Sequence, residues 1–390
     1  MTMTIEYEDA PESRLLRTFC LAGIGLAVST MAAAAEECTA PCLDTAFTLE
    51  LQGDWIFDAT PPPSTSSTLE PTLSVDLLFR ATDALSFVGS ITAENISEAP
   101  DEDGFVSDGP GAFLGEIYGQ YEADPFSFRL GKFDPDFSLA SAALSDLYGT
   151  DIVSDYDAEE RWGVQATVPF EAASLSHAVT VNVFTTDRTI LNRSIGTQRP
   201  RLTLADGGAG NVEGIGSAGI FYDFCSGAEA TSCFEDGDAG GRFGLRYQKA
   251  GAQTEEQIED EIVPEDEIGY LGAVNKRFAL SDAVDLVLLG EVAYFRNFES
   301  APEDALFSTG TAAIETGPLT YTATYTNRKT EVFGEPDATD ELIALGVIYR
   351  PAGSAFGTGA SWVLDAGLSF LSTADGEEEN RLGLRASLEF

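Results

Sequence analysis

From about residue 44 to the C-terminus, apolar and polar side chains alternate along segments of about ten residues. In the first segment, Phe47, Leu49 and Leu51 alternate with Thr48 and Glu50. Such alternation predicts β-strands whose two faces meet different surroundings, one apolar and one polar. Sixteen segments follow this pattern, at about 45–55, 72–80, 85–95, 113–122, 126–133, 161–169, 178–186, 217–224, 240–248, 268–277, 284–296, 306–315, 319–328, 341–350, 360–371 and 380–390.

The connectors between these strands alternate in length. Those after odd-numbered strands are mostly long and acidic, at about 56–71, 96–112, 134–160, 187–216, 249–267 and 329–340. Those after even-numbered strands are mostly short turns, except at about 225–239 and 351–359. Single-chain bacterial barrels have an even strand number, short turns at one rim and long loops at the other. The pattern therefore predicts an all-β, antiparallel, up-and-down transmembrane barrel rather than a soluble sandwich.

The N-terminus has the features of a secretory signal peptide. Arg14 and Arg17 precede an apolar segment at 19–28 that is too short to span a bilayer, and small residues at 33–35 fit a cleavage site. The predicted organisation is a removed segment 1–35, a short periplasmic segment 36–44 and a barrel 45–390.

The last strand carries the most specific signal. Its apolar face consists of Leu382, Leu384, Ala386, Leu388 and Phe390. Arg381 and Arg385 lie on its polar face, and the chain ends at the aromatic Phe390. This resembles the C-terminal signature of bacterial outer-membrane proteins. The resemblance implies that the barrel-assembly machinery reads Phe390 as an assembly signal, and that the chain lies in the bacterial outer membrane among lipid and lipopolysaccharide.

A second resemblance lies at the end of the fifth strand. Residues 128–133 read Phe-Arg-Leu-Gly-Lys-Phe and lead into Asp134 and Pro135. The stretch is similar to sixteen-stranded general porins, which read Leu-x-x-Gly-Arg/Lys before a Pro-Phe-type turn. In that family the third loop folds inward and narrows the channel, and the proteins are often trimers. The resemblance implies a narrowing at residues 134–160 and a homotrimer, although the usual Pro-Glu-Phe-Gly-Gly motif of that loop is absent here.

The net charge of −44 bears on the partners of such a barrel. It argues against nucleic acid, a polyanion, and favours cations over anions in a pore. By inward parity, the candidate basic pore-wall residues are Arg80, Arg129, Arg242, Arg246, Arg328, Arg381 and Arg385. The candidate acidic residues of the constriction loop are Asp134, Asp136, Asp146, Asp151, Asp155 and Asp157. Arginines on the wall that face aspartates on the loop predict a transverse field across the opening. The alternative is that these charges pair with each other and only keep the interior wet.

The sequence offers little for catalysis or metal binding. Cys38 with Cys42 and Cys225 with Cys233 predict two local disulfides, the simplest of three connectivities for four cysteines. His177 is the only histidine, so zinc binding and Ser/His or Asp/His catalysis lack partners, and we expect no enzyme activity and no cofactor. Acidic runs at about 98–103, 255–267 and 375–379 could hold Ca²⁺ or Mg²⁺, although such runs usually form solvated loops.

Together these features predict an outer-membrane porin with about sixteen strands, short periplasmic turns and long acidic extracellular loops. Such a protein would form a water-filled channel for passive diffusion of small polar solutes and ions, with a preference for cations. The alternative is a closed or plugged barrel that serves adhesion, a structural role or the uptake of a specific substrate such as a siderophore.

Overall fold

Sixteen antiparallel strands form one sheet in which each strand pairs with the next along the chain. The computed structural model describes residues 39–62, 67–96, 104–105, 109–135, 137–143, 146–197, 199, 202–253, 257–258, 262–332, 334, 336–352 and 360–390. The strands are β1 (Cys42–Thr60), β2 (Ser67–Arg80), β3 (Leu85–Asn95), β4 (Pro110–Ala123), β5 (Phe126–Phe133), β6 (Arg161–Ala172), β7 (Leu175–Thr186), β8 (Ser217–Ser226), β9 (Ala239–Gln248), β10 (Glu267–Ser281), β11 (Val284–Arg296), β12 (Glu303–Thr316), β13 (Leu319–Val332), β14 (Ala338–Tyr349), β15 (Ser361–Ser372) and β16 (Glu378–Glu389).

The sheet closes because its last strand pairs with its first. In this pair Thr48 lies opposite Glu389, and Trp55 lies opposite Leu382. Closure leaves none of the sixteen described strands as a free edge of the sheet, which is the condition for a β-structure to cross a bilayer. The predicted sixteen-stranded, antiparallel, up-and-down barrel is confirmed.

The predicted strands all exist, but several of their ends differ. β1 begins at Cys42 and ends at Thr60, so it is longer at both ends than the predicted 45–55. A register shift between Ile56 and Asp58 in the β1–β16 ladder lets pairing continue beyond the point where the side-chain alternation stops. Because β2 also begins earlier than predicted, at Ser67, the first connector is 61–66 rather than 56–71.

The outer surface of the barrel is apolar. The side chains that the alternation turns outward, such as Leu49, Phe87, Tyr121, Leu245 and Ile343, are each 42–47% exposed. An apolar belt of this extent on a closed barrel faces lipid rather than water. Among the described residues, no helix is long and apolar enough to cross a membrane.

The two rims differ as the connector parity predicts. At one rim, here called the turn rim, connectors after even strands are mostly two to four residues long, as at 124–125, 173–174 and 317–318. At the opposite loop rim lie the long connectors 134–160 and 187–216. The exceptions at the turn rim are 227–238 and 350–360, close to the two predicted exceptions.

Within the described residues, two short α-helices lie in the connectors, α1 (Leu139–Ala143) and α2 (Cys233–Asp236). A two-residue strand, Ile195–Gly196, pairs with Gly111 and Ala112 of β4. It extends the wall at the edge of β4 that β5 leaves uncovered, because β5 pairs with β4 only from Ile117 onward.

Candidate functional site

The connector 134–160, here called loop 3, runs through the inside of the barrel. Near its start and end, Phe137 and Tyr156 pack against Phe295 on the inner face of β11. At its middle, the hydroxyl of Tyr148 donates a 2.5 Å hydrogen bond to Asp54 on β1. Loop 3 therefore crosses the lumen from β5 and β6 to the far wall, although it lacks the Pro-Glu-Phe-Gly-Gly motif.

An apolar cluster holds one side of loop 3 to the wall. The ring of Phe137 lies 5.8 Å from that of Phe221 and 5.7 Å from that of Phe295, and Tyr156 lies 4.7 Å from Phe307. All five side chains are fully buried. Aromatic pairs of this kind stabilise by about 0.5–1.5 kcal/mol each beyond their buried area, so the cluster fixes the loop firmly.

A single buried carboxylate, Glu291 on β11, satisfies the polar groups at this anchor. It accepts hydrogen bonds from the Ser138 hydroxyl at 2.6 Å, the Leu139 and Ala140 amides at 2.7 and 3.0 Å, and the Tyr156 hydroxyl at 2.6 Å. The two amides belong to the first turn of α1, where N–H groups lack helical partners. Glu291 thus caps α1 and joins both arms of loop 3.

A row of glycines receives the tip of loop 3. Gly346, Gly367 and Gly383 lie opposite one another on β14, β15 and β16. A Cβ atom added at Gly367 would lie 3.0 Å from Leu147 and 3.1 Å from Tyr148, and one added at Gly383 would overlap both side chains. The tip can approach the wall this closely only because these three positions carry no side chain.

Two loop aspartates form ion pairs with wall arginines. Asp155 lies 2.7 Å from Arg328 of β13, and Asp151 lies 3.3 Å from Arg381 of β16. The sequence predicts such charges facing each other across an opening, whereas these pairs are in direct contact. They therefore tie loop 3 to the wall, as in the alternative that lumen charges pair with each other.

Two further wall arginines bind the loop through its backbone. Arg246 donates to the Tyr156 carbonyl at 2.5 Å and pairs with Glu267 at 3.0 Å, while Arg242 donates to the Phe137 carbonyl at 3.4 Å. The remaining basic candidates also have partners: Arg80 lies 3.8 Å from Asp44, Arg129 donates to Gln120 at 3.1 Å, and Arg385 lies 2.8 Å from Asp365. Most of the predicted basic wall thus serves to hold the structure together.

The other acidic candidates have separate roles within loop 3. Asp134 accepts a 2.5 Å hydrogen bond from the Glu160 amide and so closes the base of the loop, and Asp146 accepts one of 2.7 Å from Gly149. Burial raises the pKa of Asp157 to about 6, against the lowering effect of a hydrogen bond from Ser141. Asp136 lies outside the described residues.

The base of loop 3 depends on the predicted porin-like stretch. Gly131 has φ +148°, and a Cβ there would overlap the backbone of β4. Just beyond it, the alternation breaks and Lys132 is fully buried, donating to the Leu114 carbonyl at 2.6 Å and to Glu160 at 2.7 Å. Lys132 also lies 3.3 Å from Asp187, so it joins loop 3 to the connector 187–216.

The wall on the other side of loop 3 is acidic. Between residues 42 and 123, Arg80 is the only Lys or Arg, and it lies near the turn rim. The carboxylates on the polar faces of β1–β4 include Glu50, Asp54, Glu70, Asp76, Glu94 and Glu116. Alternation places some of these residues on polar faces but does not mark them as site residues. The near absence of basic residues along β1–β4 is the signal that identifies them.

These wall carboxylates lie close to those of loop 3. Glu116 accepts a 3.3 Å hydrogen bond from the Asp134 amide, and Glu94 is within electrostatic range of Glu159 and Glu160. A cavity of about 340 Å³ lies beside the contact of the loop tip with β1 and is lined by Asp54, Glu70, Asp151, Glu379 and Arg381, among others. The space beside loop 3 therefore has carboxylates on both of its sides.

The predicted disulfide joins Cys225 at the end of β8 to Cys233 in the turn-rim connector 227–238, and their Cα atoms are 5.5 Å apart. Both cysteines are buried with Ala178 and Ala230. Cys42 is also disulfide-bonded, but Cys38 lies outside the described residues.

His177, the single histidine, is stacked between Phe170 and Tyr222 at the turn rim. Its ring nitrogens lie 2.8 Å from the Tyr222 hydroxyl and 3.0 Å from the Ala172 carbonyl, so both have partners. Among the described residues, no group of three or more His, Cys, Asp or Glu side chains is placed to hold a metal ion.

No family model matches the chain, and no curated protein matches it in sequence. Solved structures resemble it in fold. The outer membrane channel DcaP of Acinetobacter baumannii aligns over 90% of this chain and 97% of its own, with a TM-score of 0.54 and 13% identity. OmpF of Salmonella typhi, in complex with daunomycin, aligns over 90% and 98%, with a TM-score of 0.57 and 10% identity. The chain thus has the sixteen-stranded fold of bacterial outer-membrane porins.

Proposed function

We propose that the protein is a water-filled channel of the bacterial outer membrane that passes small polar solutes and ions and favours cations. The observation that carries the proposal is the acidic space between loop 3 and β1–β4. Glu94 and Glu116 on the wall face Glu159 and Asp134 on the loop, and Arg80 is the only described basic residue of β1–β4. Arg199 and Arg129, from neighbouring segments, lie within electrostatic range of Glu94 and Glu116 and offset part of this negative charge.

The physical basis of the preference is the focusing of charge. Walls of low dielectric constant concentrate the field in a narrow passage, so a few carboxylates there raise the local cation concentration and repel anions. Arg328 and Arg381 have little influence on this balance, because they are neutralised by Asp155 and Asp151.

Two electrical measurements on purified, refolded protein in planar bilayers test the proposal. Stepwise conductance in KCl is expected for a channel, and a reversal potential under a KCl gradient should have the sign of a cation-selective pore. The absence of conductance steps would refute the channel function, and a reversal potential of opposite sign would refute the cation preference alone.

A plugged barrel is the second candidate, and one feature favours it. Loop 3 is anchored on both sides of the lumen, through Glu291 on β11 and through Asp54 on β1. If the remaining space does not form a continuous path, the barrel would act in adhesion, in structural attachment or in gated uptake. The conductance measurement separates the two candidates. Homotrimer formation and contacts with lipopolysaccharide and the barrel-assembly machinery stay predictions from the porin resemblance.

A further inference from the structure

A cavity of about 520 Å³ lies where loop 3 meets the connector 187–216 at the loop rim. Its lining includes Asp157, Glu159, Glu160, Arg161, Asp187 and Arg199. A cavity of this size falls in the range that holds small-molecule ligands. Its lining carries charges of both signs, and a solute can bind only those that are not already paired.

Most of the lining charges are already bound. Glu160 is shared by Lys132, at 2.7 Å, and Arg199, whose Nη1 also lies at 2.7 Å. Asp187 lies 3.3 Å from the same Lys132. Asp157 is held by a hydrogen bond from Ser141. These groups form the frame of the cavity.

Two lining charges of opposite sign remain available. Arg161 uses Nη1 in a 2.8 Å hydrogen bond to Thr186, its buried Nε has no hydrogen-bond partner, and it forms no ion pair with any described residue. Glu159 is exposed and likewise has no ion pair within the described part of the chain. Glu160, between them, has a left-handed φ of 54° and points its carboxylate at Lys132, which leaves its two neighbours free.

We propose that this cavity is a binding subsite for small zwitterionic solutes, with Arg161 taking the carboxylate and Glu159 taking the ammonium group. The guanidinium of Arg is suited to planar carboxylates, and a charged hydrogen bond is worth more than a neutral one. A simple anion is disfavoured because three carboxylates, Asp134, Glu159 and Glu160, lie within electrostatic range of Arg161 and outnumber the one cation there, Arg246. A solute with both charges satisfies both free groups. The inference rests on the proposed channel function and specifies its substrate class.

The test uses four probes that share a four-carbon chain, which are γ-aminobutyrate, butyrate, butylammonium and butyramide. Each is added to the wild-type channel in a planar bilayer while the KCl current is recorded. γ-Aminobutyrate is expected to block the current in a saturable manner and at lower concentration than the other three. Equal block by butylammonium would overturn the inference, since it would show attraction of cations alone, and so would the absence of block by all four.

Substitutions of Arg161 and Glu159 test whether these two residues cause the block by γ-aminobutyrate. Arg161→Gln and Glu159→Gln are each expected to raise the half-blocking concentration of γ-aminobutyrate by roughly tenfold, the loss of one charged hydrogen bond. Arg161→Lys, which keeps the charge, should fall between wild type and Arg161→Gln. Arg296→Gln removes an exposed arginine from the outer face of β11 and serves as the matched control.

Heat-dependent migration on SDS gels verifies that each variant barrel is folded, and Glu159→Gln alone suffices for the test if Arg161→Gln does not fold. Unchanged block in Glu159→Gln and Arg161→Lys would overturn the subsite. If the wild type shows normal conductance steps in KCl but γ-aminobutyrate does not block the current more strongly than the other probes, only this inference is overturned. An absence of steps in the wild type would overturn the channel itself.

Discussion

The hydroxyl of Tyr156 donates a 2.6 Å hydrogen bond to the carboxylate of Glu291, and so ties the returning arm of loop 3 to β11. Burial raises the pKa of Tyr156, and the charge of Glu291 adds to that effect. The phenol therefore stays protonated and remains a donor. Because Glu291 also caps α1, one side chain holds both arms of the loop in place.

We expect Glu291→Gln to loosen loop 3. A neutral amide accepts weaker hydrogen bonds and offers one oxygen instead of two, and each charged hydrogen bond contributes about 1.5–3 kcal/mol. Open-channel current noise should rise, and the barrel should unfold at lower temperature. Glu341→Gln is the control, because Glu341 accepts a 2.7 Å hydrogen bond from Tyr325 in an exposed setting. Equal noise in the two variants would contradict the anchoring role of Glu291.

We expect Gly383→Val to push the tip of loop 3 away from β16. The new side chain would overlap Leu147 and Tyr148, and overpacking of this kind costs about 1–3 kcal/mol. The displaced tip narrows the space beside β1, so the single-channel conductance should fall. Gly310→Val is the control, since a Cβ there meets no atom within 4 Å. If both variants conduct like the wild type, the glycine row does not seat the loop.

The cation preference should depend on pH through Asp151. Burial raises its pKa to about 6, neighbouring Asp54 and Asp146 act in the same direction, and Arg381 opposes them. The carboxylate is charged above that pH and neutral below it, so cation selectivity should decrease as the pH falls through about 6. Reversal potentials recorded between neutral and acidic pH measure the change. In Asp151→Asn, the loss of cation selectivity between neutral and acidic pH should be smaller than in the wild type. It should not vanish, because Asp157 titrates in the same range. If the loss of selectivity in Asp151→Asn is as large as in the wild type, Asp151 is not the group that causes it.

Neutralising the acidic wall should weaken the cation preference. In the double variant Glu70→Gln and Glu94→Gln, the cation-to-anion permeability ratio should fall by roughly half or more, because a few charges set the potential in a narrow passage. Asp282→Asn, in the turn between β10 and β11, removes one charge outside the lumen and is the control. The measurement is the reversal potential under a KCl gradient. A ratio that is unchanged in the double variant would show that ions do not pass beside β1–β4.

The alternation of side chains was sufficient to predict all sixteen strands, because an exposed apolar face and a wet polar face impose the same period on each of them. The alternation predicts the structure less well where the two-residue period is interrupted. At β1 the strand continues beyond Ile56 through a register shift, which the alternation of side chains does not predict. At Lys132 the parity breaks after Gly131, and a residue that alternation places toward lipid is buried in an ion-pair cluster instead.

The contacts of loop 3 could not be predicted, since they join residues far apart in the sequence without any periodic pattern. The inward parity of Arg328 and Arg381 was visible, but whether each arginine faces a loop aspartate across a gap or touches it depends on the path of the loop. A sequence signal for that path did exist. Gly346, Gly367 and Gly383 occupy inward positions on consecutive strands, where bulky or polar residues would otherwise be expected.

The same three glycines determine when the loop can dock. They belong to the last three strands of the chain, whereas loop 3 follows the fifth. Contacts between segments so distant in sequence form late, since the intervening chain must first be ordered. Loop 3 is thus synthesised long before its seat on the wall exists. The barrel must be nearly complete before its interior is divided, so the narrowing of the lumen is among the last events in the folding of this protein.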